Sequence, residues 1–171
     1  FFGTYSPHKG PDVLVAAMGQ VRGDCRALLR GRATDFAEFS AQLAAAAKSD
    51  ERVTVDGPFA RDELAQALAQ IDVLVVPSTW HENAPFVVLE ARAAGLPVIA
   101  SRFGGLTEVV DDEVDGDLFA PGDAADLANR LQRLVDEPER LARYRAAVKP
   151  PNSLRAAVDE FEQIYREAST Q

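Results

Sequence analysis

Short apolar runs alternate with stretches of helical periodicity along the whole chain. The clearest run is Asp72-Val73-Leu74-Val75-Val76-Pro77, nearly continuous and β-branched. Such a run predicts a strand buried on both faces, as in a parallel sheet covered by helices. Pro97 to Ser101 repeats the pattern; Phe1 to Tyr5, residues 25–30, Arg52 to Asp56 and Asp117 to Ala120 predict four more strands. Between them, Val13, Leu14, Ala17, Met18 and Val21 fall at helical spacing over residues 11–21. An alanine-rich helix is expected over 35–48 with Thr34 as its cap, and Asp62 to Gln70 carries Leu64, Ala67 and Leu68 on one face. Pro85 to Ala94 predicts a helix ended by Gly95 in a left-handed cap, with Asn83 capping its start and Pro85 in its first turn. A short helix follows over Gly105 to Asp111. Beyond Pro121-Gly122 the pattern is helical, over 123–136, 138–148 and 153–167.

Strands separated by helices imply βαβ units with right-handed crossovers. The expected fold class is therefore α/β, a doubly wound, Rossmann-like parallel sheet of about six strands. Residues 1–171 read as one domain, with a core over 1–148 and a C-terminal helical segment over 150–171. The stripe Leu154, Val158, Phe161, Ile164 and Tyr165 on that last helix packs either back on the sheet or onto a further domain.

Length and composition narrow this picture without changing it. A chain of 171 residues fits one domain better than two. Its net charge of −9, from 27 acidic and 18 basic residues, repels nucleic acid and anionic lipid. Arg22, Arg26, Arg30 and Arg32 build no basic patch, because apolar residues and Asp24 interrupt them. No apolar run approaches ~20 residues, so neither a membrane span nor a secretory leader is expected. The single Cys25 forms no internal disulfide and suits a reducing cytoplasm. The chain opens on Phe1-Phe2-Gly3-Thr4-Tyr5 without an initiator Met, which reads as a piece of a longer protein starting at its first strand.

In open parallel sheets ligands bind beyond the carboxyl ends of the strands, which selects four loops. In the first, Gly3-Thr4-Tyr5-Ser6-Pro7-His8-Lys9-Gly10, glycines let the backbone approach an anion and Lys9 adds a positive charge. The third, around Glu82-Asn83-Ala84-Pro85-Phe86, leads into a helix that is almost wholly apolar around Glu90. A carboxylate there is costly unless something hydrogen-bonds it. Because helical side chains lean toward the N-terminus, Glu90 is expected to aim at the same cleft as Glu82. Helix-start amides between two acids suit a phosphate flanked by hydroxyls; the plainer alternative pairs Glu90 with a buried arginine and leaves Glu82 on the surface. Gly57 and Phe59 in the second loop are candidates to border a planar base, although Phe59 also reads as core. Arg102 and Gly104 in the fourth loop belong to another glycine-lined helix start, which a plain tight turn explains equally well. His8 and His81 lack metal-ligand spacing with the acids or Cys25, so no metal site is expected, and no Ser/His/Asp or Cys/His triad is evident.

Taken together, Lys9-Gly10, Glu82 through Glu90 with Asn83, Pro85 and Phe86 between them, Ala94-Gly95, Pro97-Val98, Gly104-Gly105 with Glu108, and Pro121-Gly122-Asp123 resemble one family. They resemble the retaining, two-domain GT-B "group 1" glycosyltransferases with their E-x7-E motif, over Gly3 to about Ala147. The resemblance implies that this is the C-terminal domain, which binds a nucleotide-diphosphate sugar (UDP or GDP), while an N-terminal acceptor domain lies outside the chain. It implies that Lys9 contacts the diphosphate, Glu90 the ribose, and Glu82 the donor sugar, with the amides of Asn83 to Phe86 holding phosphate or sugar oxygens. Lys9 and Glu82 would then be the catalytic residues, with Gly3 and Thr4 beside the donor, no metal and no cofactor besides the donor substrate. Two positions depart from the pattern: Thr4 stands where the family often has an arginine, and Phe86-Val87 where it often has Phe-Gly. If Thr4 leaves the diphosphate short of a cation, Lys9 with the helix amides or Arg102 would supply it. By itself the domain is expected to bind donor without turning it over. Cytoplasmic residence is implied, with any membrane contact at the inner face made by the absent domain. A sugar-nucleotide epimerase half, or a non-catalytic doubly wound module, are the alternatives.

Overall fold

The apolar runs pair as parallel strands. The computed structural model describes residues 1–83 and 85–169. In it β1 (Ala27–Arg30) pairs with β2 (Val53–Asp56), while β3 (Leu74–Val76), β4 (Val98–Ser101) and β5 (Gly116–Phe119) form a second sheet with β4 in the middle. The sixth expected strand is reduced to a bridge. Phe2 pairs in parallel with Arg30, Gly3 N–H donates to Arg30 O, Arg30 N–H to Phe1 O and Tyr5 N–H to Arg32 O. The segment turns into a 3-10 stretch at Pro7–Lys9, which leaves it too short for a longer ladder.

Eight helices are described: α1 (Pro11–Met18), α2 (Ala37–Ala47), α3 (Leu64–Leu68), α4 (Phe86–Ala93), α5 (Leu106–Val109), α6 (Ala124–Asp136), α7 (Pro138–Ala147) and α8 (Leu154–Ala168). Successive strand residues point to opposite faces, and two separate cores follow from that alternation. Val75, Ile99 and Phe119 pack with Val13, Leu14 and Ala17 of α1, Leu43 of α2 and Leu127 of α6. Leu74, Val76, Val98, Ala100 and Leu118 pack with Ala67 and Leu68 of α3, Val88 and Ala91 of α4 and Leu106 of α5. Helices therefore cover both faces, which is the doubly wound arrangement.

Helix starts differ from the sequence pattern where side-chain caps were expected. α2 begins at Ala37, with Phe36 at its N-cap, and the Thr34 hydroxyl bonds its neighbour Asp35 instead of the helix. α4 begins at Phe86, so Pro85 takes the N-cap position and Asn83 lies too far upstream to cap it. By contrast, Asp123 caps α6 by accepting from Ala125 and Asp126 N–H, and Gly95 adopts the left-handed conformation expected after α4.

The apolar stripe of α8 does not pack back on the sheet. Val158, Phe161, Ile164 and Tyr165 are between 46% and 71% exposed; the Leu154 side chain and residues 170–171 lie outside the description. Among the described residues no helix is long and apolar enough to cross a membrane.

Two buried carboxylates anchor the half of the fold that carries β4 and β5. Asp117 on β5 is fully buried and accepts from Tyr144 Oη at 3.2 Å and Arg130 Nη1 at 3.4 Å, while burial pushes its carboxyl above the ordinary range. Asp115 meets Arg92 of α4 at 2.9 Å, both side chains largely buried. It thereby ties α4 to the turn before β5. Removing one partner of such a pair strands the other charge, at a cost of about 3 kcal/mol. Asp115→Asn is accordingly expected to lower the unfolding free energy by about that amount in urea titrations at neutral pH. A loss under about 1 kcal/mol would mean that solvent screens the pair.

Candidate functional site

Three loops at the carboxyl ends of the first segment, β3 and β4 are stitched together by backbone contacts. Gly10, with φ +63°, seats so closely that a Cβ there would lie 2.0 Å from Pro77 O. Thr79 N–H donates to His8 O at 2.9 Å, joining the first loop to the third. On the other side, Gly105 N–H donates to Glu82 O at 2.7 Å, and the His81 and Phe103 rings lie 4.0 Å apart. A Cβ on Gly105 would fall 2.2 Å from Asn83 O. Only glycine permits that approach.

These contacts hold Glu82 facing Lys9. Lys9 Nζ donates to Glu82 Oε1 at 2.5 Å and the buried Ser78 hydroxyl donates to the same oxygen at 2.7 Å. Burial pushes the Glu82 carboxyl upward, but the bonds from Lys9 and Ser78 and the charges of Lys9 and His8 outweigh it and hold the group below its ordinary value. Glu82 is thus a carboxylate at neutral pH. The pair lies in an open cleft of about 640 Å³ lined by His8, Lys9, Trp80, His81, Glu82 and Asn83.

The other expected site residues divide. Gly104 packs its backbone against Glu82 and His81, so it shapes the loop that carries the acid. Pro85 and the exposed Phe86 stand at the start of α4, and Ala84 lies outside the described residues. Glu90 does not enter the Lys9–Glu82 cleft. It sits four residues beyond Phe86, on the same helix face, and lines a hollow bordered by Leu64 and Leu68 of α3. Arg102 is likewise drawn away, pairing with Asp112 and donating to Leu118 O at 3.4 Å. Gly3 is held by Arg30 at the edge of β1, and Thr4 is half-buried beside it. Gly57 N–H bonds Asp56 Oδ1. Phe59 packs edge-on against Phe2 at 5.1 Å, with the Arg30 guanidinium 5.0 Å from its ring centre, so it takes the core alternative.

Ser78, Trp80 and His81 were not singled out as ligand-facing by the sequence pattern. Ser78 had a signal in its place at the end of the buried β3 run, four residues before Glu82. Trp80, 66% exposed and the sole tryptophan of the chain, had another in its position within a ligand-facing loop. Among the described residues no group of three or more His, Cys, Asp or Glu side chains is arranged to hold a metal ion.

The sequence profile described as "Glycosyl transferases group 1" matches residues 1–137. The chain belongs to the group 1 glycosyltransferases. It is 38% identical over 157 residues to the D-inositol 3-phosphate glycosyltransferase of Stackebrandtia nassauensis, covering 85% of this chain and 35% of that protein. To the sulfoquinovosyl transferase SQD2 of Arabidopsis thaliana it is 42% identical over 86 residues, 48% of this chain and 17% of the relative. Its fold matches Anabaena Alr3699/HepE, solved in complex with UDP-glucose, with a TM-score of 0.82 and 28% identity, over 99% of this chain and 48% of HepE. Sucrose-phosphate synthase of Thermosynechococcus elongatus matches with a TM-score of 0.76 and 32% identity, over 99% of this chain and 45% of that one. The chain therefore spans about a third of the D-inositol 3-phosphate glycosyltransferase, less of SQD2, and about half of these solved structures.

Two expectations follow from the geometry. Gly105→Ala forces the loops apart and is expected to cost about 2 kcal/mol in thermal or urea unfolding while changing Trp80 fluorescence; an unaltered spectrum and midpoint would show the loops to be loosely joined. The folded Glu82 pKa is depressed, so its stabilising contribution is complete above the unfolded glutamate value of about 4.3 and is lost as pH falls through the lower folded value. The difference in urea midpoint between the wild type and Glu82→Gln should hold steady from pH 7 to about 5 and shrink only below about 4. Its disappearance already above pH 5 would contradict the pairing.

Proposed function

We propose that this domain binds the nucleotide-diphosphate sugar, with UDP-glucose as the first candidate donor, for retaining transfer to an acceptor hydroxyl. The observation that carries the reading is the Lys9–Glu82 pair, held by three loops in an open cleft at the carboxyl ends of the strands. The fold match to HepE, described in complex with UDP-glucose, supports the choice of donor. Lys9 and the N–H groups of Phe86 and Val87 at the start of α4 would meet the diphosphate, and their positive ends would stabilise the charge that grows on it as the sugar–phosphate bond breaks. The ionised Glu82 would accept hydrogen bonds from the donor's hydroxyls. The face of α4 carrying Glu90 turns toward α3, so the ribose and base would lie on that side, away from Trp80.

The acceptor would be held by a preceding half of the protein, a reading that the greater length of the relatives supports. The uncovered stripe of α8 (Val158, Phe161, Ile164 and Tyr165) is a face of the right chemistry for that half to cover. We place the protein in the cytoplasm, where its unpaired Cys25 would stay reduced, with any membrane contact left to the preceding half.

Because Trp80 is the sole tryptophan and borders the cleft, its emission reports occupancy directly. UDP-glucose is expected to change that emission saturably, and Lys9→Ala to weaken the affinity at least about tenfold. The 171-residue chain by itself is expected to bind donor without transferring sugar. No saturable binding of any nucleotide sugar at millimolar concentration, in a folded chain, would overturn the reading.

A further inference from the structure

We propose that the Lys9–Glu82 pair discriminates the intact sugar nucleotide from the free nucleoside diphosphate, with Glu82 as the residue that rejects the latter. This rests on the donor-binding reading above and goes beyond it, since it assigns the pair a role in specificity and in product release.

The two oxygens of Glu82 have different surroundings. Oε1 takes both the Lys9 ammonium and the Ser78 hydroxyl, while Oε2 has no partner among the described residues and belongs to a side chain that lines the cleft. Lys9 keeps two further ammonium protons. A phosphate oxygen that accepts one of them, at ordinary hydrogen-bond length and tetrahedral angle, must lie about 4–5 Å from Oε1. The acid and the phosphate are therefore close neighbours by the geometry of one nitrogen.

At that separation the number of charges on the phosphate decides the balance. In a free nucleoside diphosphate the terminal phosphate has a second ionisation near pH 6, by analogy with other phosphate monoesters, so it is a dianion above neutrality. In the sugar nucleotide the same phosphorus is esterified and carries a single charge. Lys9, whose charge the Glu82 carboxylate offsets, is the sole lysine or arginine among the residues lining the cleft, and Arg102 is tied to Asp112. Each charge on the phosphate meets the acid at about 4–5 Å. Glu82 therefore takes back about twice as much of the attraction to Lys9 from the dianion as from the monoanion, while the α4 amides serve both ligands alike. The sugar nucleotide loses less, and its hydroxyls donate to the open Oε2. When transfer removes the sugar, the bound species gains a charge and loses those bonds at once, which favours its departure.

The test is a titration of the folded chain with UDP and with UDP-glucose, read by Trp80 emission and by calorimetry, for the wild type, Glu82→Gln and Glu82→Asp. Glu82→Gln should bind UDP about tenfold more tightly and UDP-glucose no more than about threefold more tightly, whereas Glu82→Asp should keep the wild-type preference. A Lys9→Met arm gives an independent reading, because it leaves the acid unopposed: UDP should lose more affinity than UDP-glucose. Equal shifts for the two ligands, or weaker UDP binding in Glu82→Gln, would overturn the proposal and make the acid a positioning group for Lys9. That result would leave donor binding intact. A wild type that binds neither ligand would instead sink the donor reading and this inference with it.

Discussion

The hydrogen bond from Gly105 N–H to the Glu82 carbonyl is the constraint on which the cleft depends. It ties the loop after β4 to the loop after β3, and the fit of Gly10 against Pro77 ties the first loop to the same place. Neither contact tolerates a Cβ. Glycine here serves to bring backbones within hydrogen-bonding distance, and the side chains that line the cleft follow from that approach. Lys9 and Glu82 are 73 residues apart in sequence, and their 2.5 Å contact exists because two loops were first made to touch. An isolated lysine and glutamate on mobile loops would gain little from pairing in water. Held by the backbone and joined by the Ser78 hydroxyl, they form a fixed charge arrangement.

What was legible in the sequence follows from burial. β3 and β4 carry apolar residues on both faces because helices cover both, so Val73 to Val76 and Pro97 to Ser101 announced themselves without alternation. The two cores then divide those residues by parity, Val75 and Ile99 to one side and Leu74, Val76, Val98 and Ala100 to the other. The first segment was less legible. Phe1, Phe2 and Tyr5 are buried, as a strand's residues would be, but hydrophobicity reports burial and not pairing, and Phe2 alone forms a bridge. Thr34 and Asn83 carry the chemistry of caps at nearly the right places. A shift of two residues in a helix start is below what local pattern resolves, and Thr34 bonds Asp35 instead.

The site was half legible for a related reason. Lys9, Glu82 and Asn83 sit on loops whose places are fixed by the strand ends, so the rule for ligand sites in parallel sheets led to them as candidates, and they line one cleft. Glu90 is on a helix, and there the direction of a side chain depends on the phase of a 3.6-residue turn. Val88 and Ala91 face the core, which puts Glu90 on the flank toward α3. The lean of helical side chains toward the N-terminus raises a residue along the axis and does not rotate it around the helix. Arg102 illustrates a third limit. Its partner Asp112 is ten residues away across a turn, and nothing local in Ser101-Arg102-Phe103-Gly104-Gly105 foretells it.

The charge balance gives these placements their consequence. A domain at −9 offers no general attraction to a diphosphate, so binding must come from donors fixed at short range. Setting a carboxylate beside the cleft's lysine works against that, because it offsets the lysine's positive charge. The cost is reasonable only for a ligand that returns something to the acid. Hydroxyl groups return hydrogen bonds, and a sugar carries several of them on adjacent carbons. A site selected for phosphate alone would do better with Lys9 unopposed, so the pairing itself argues for a ligand in which phosphate and polyol are joined.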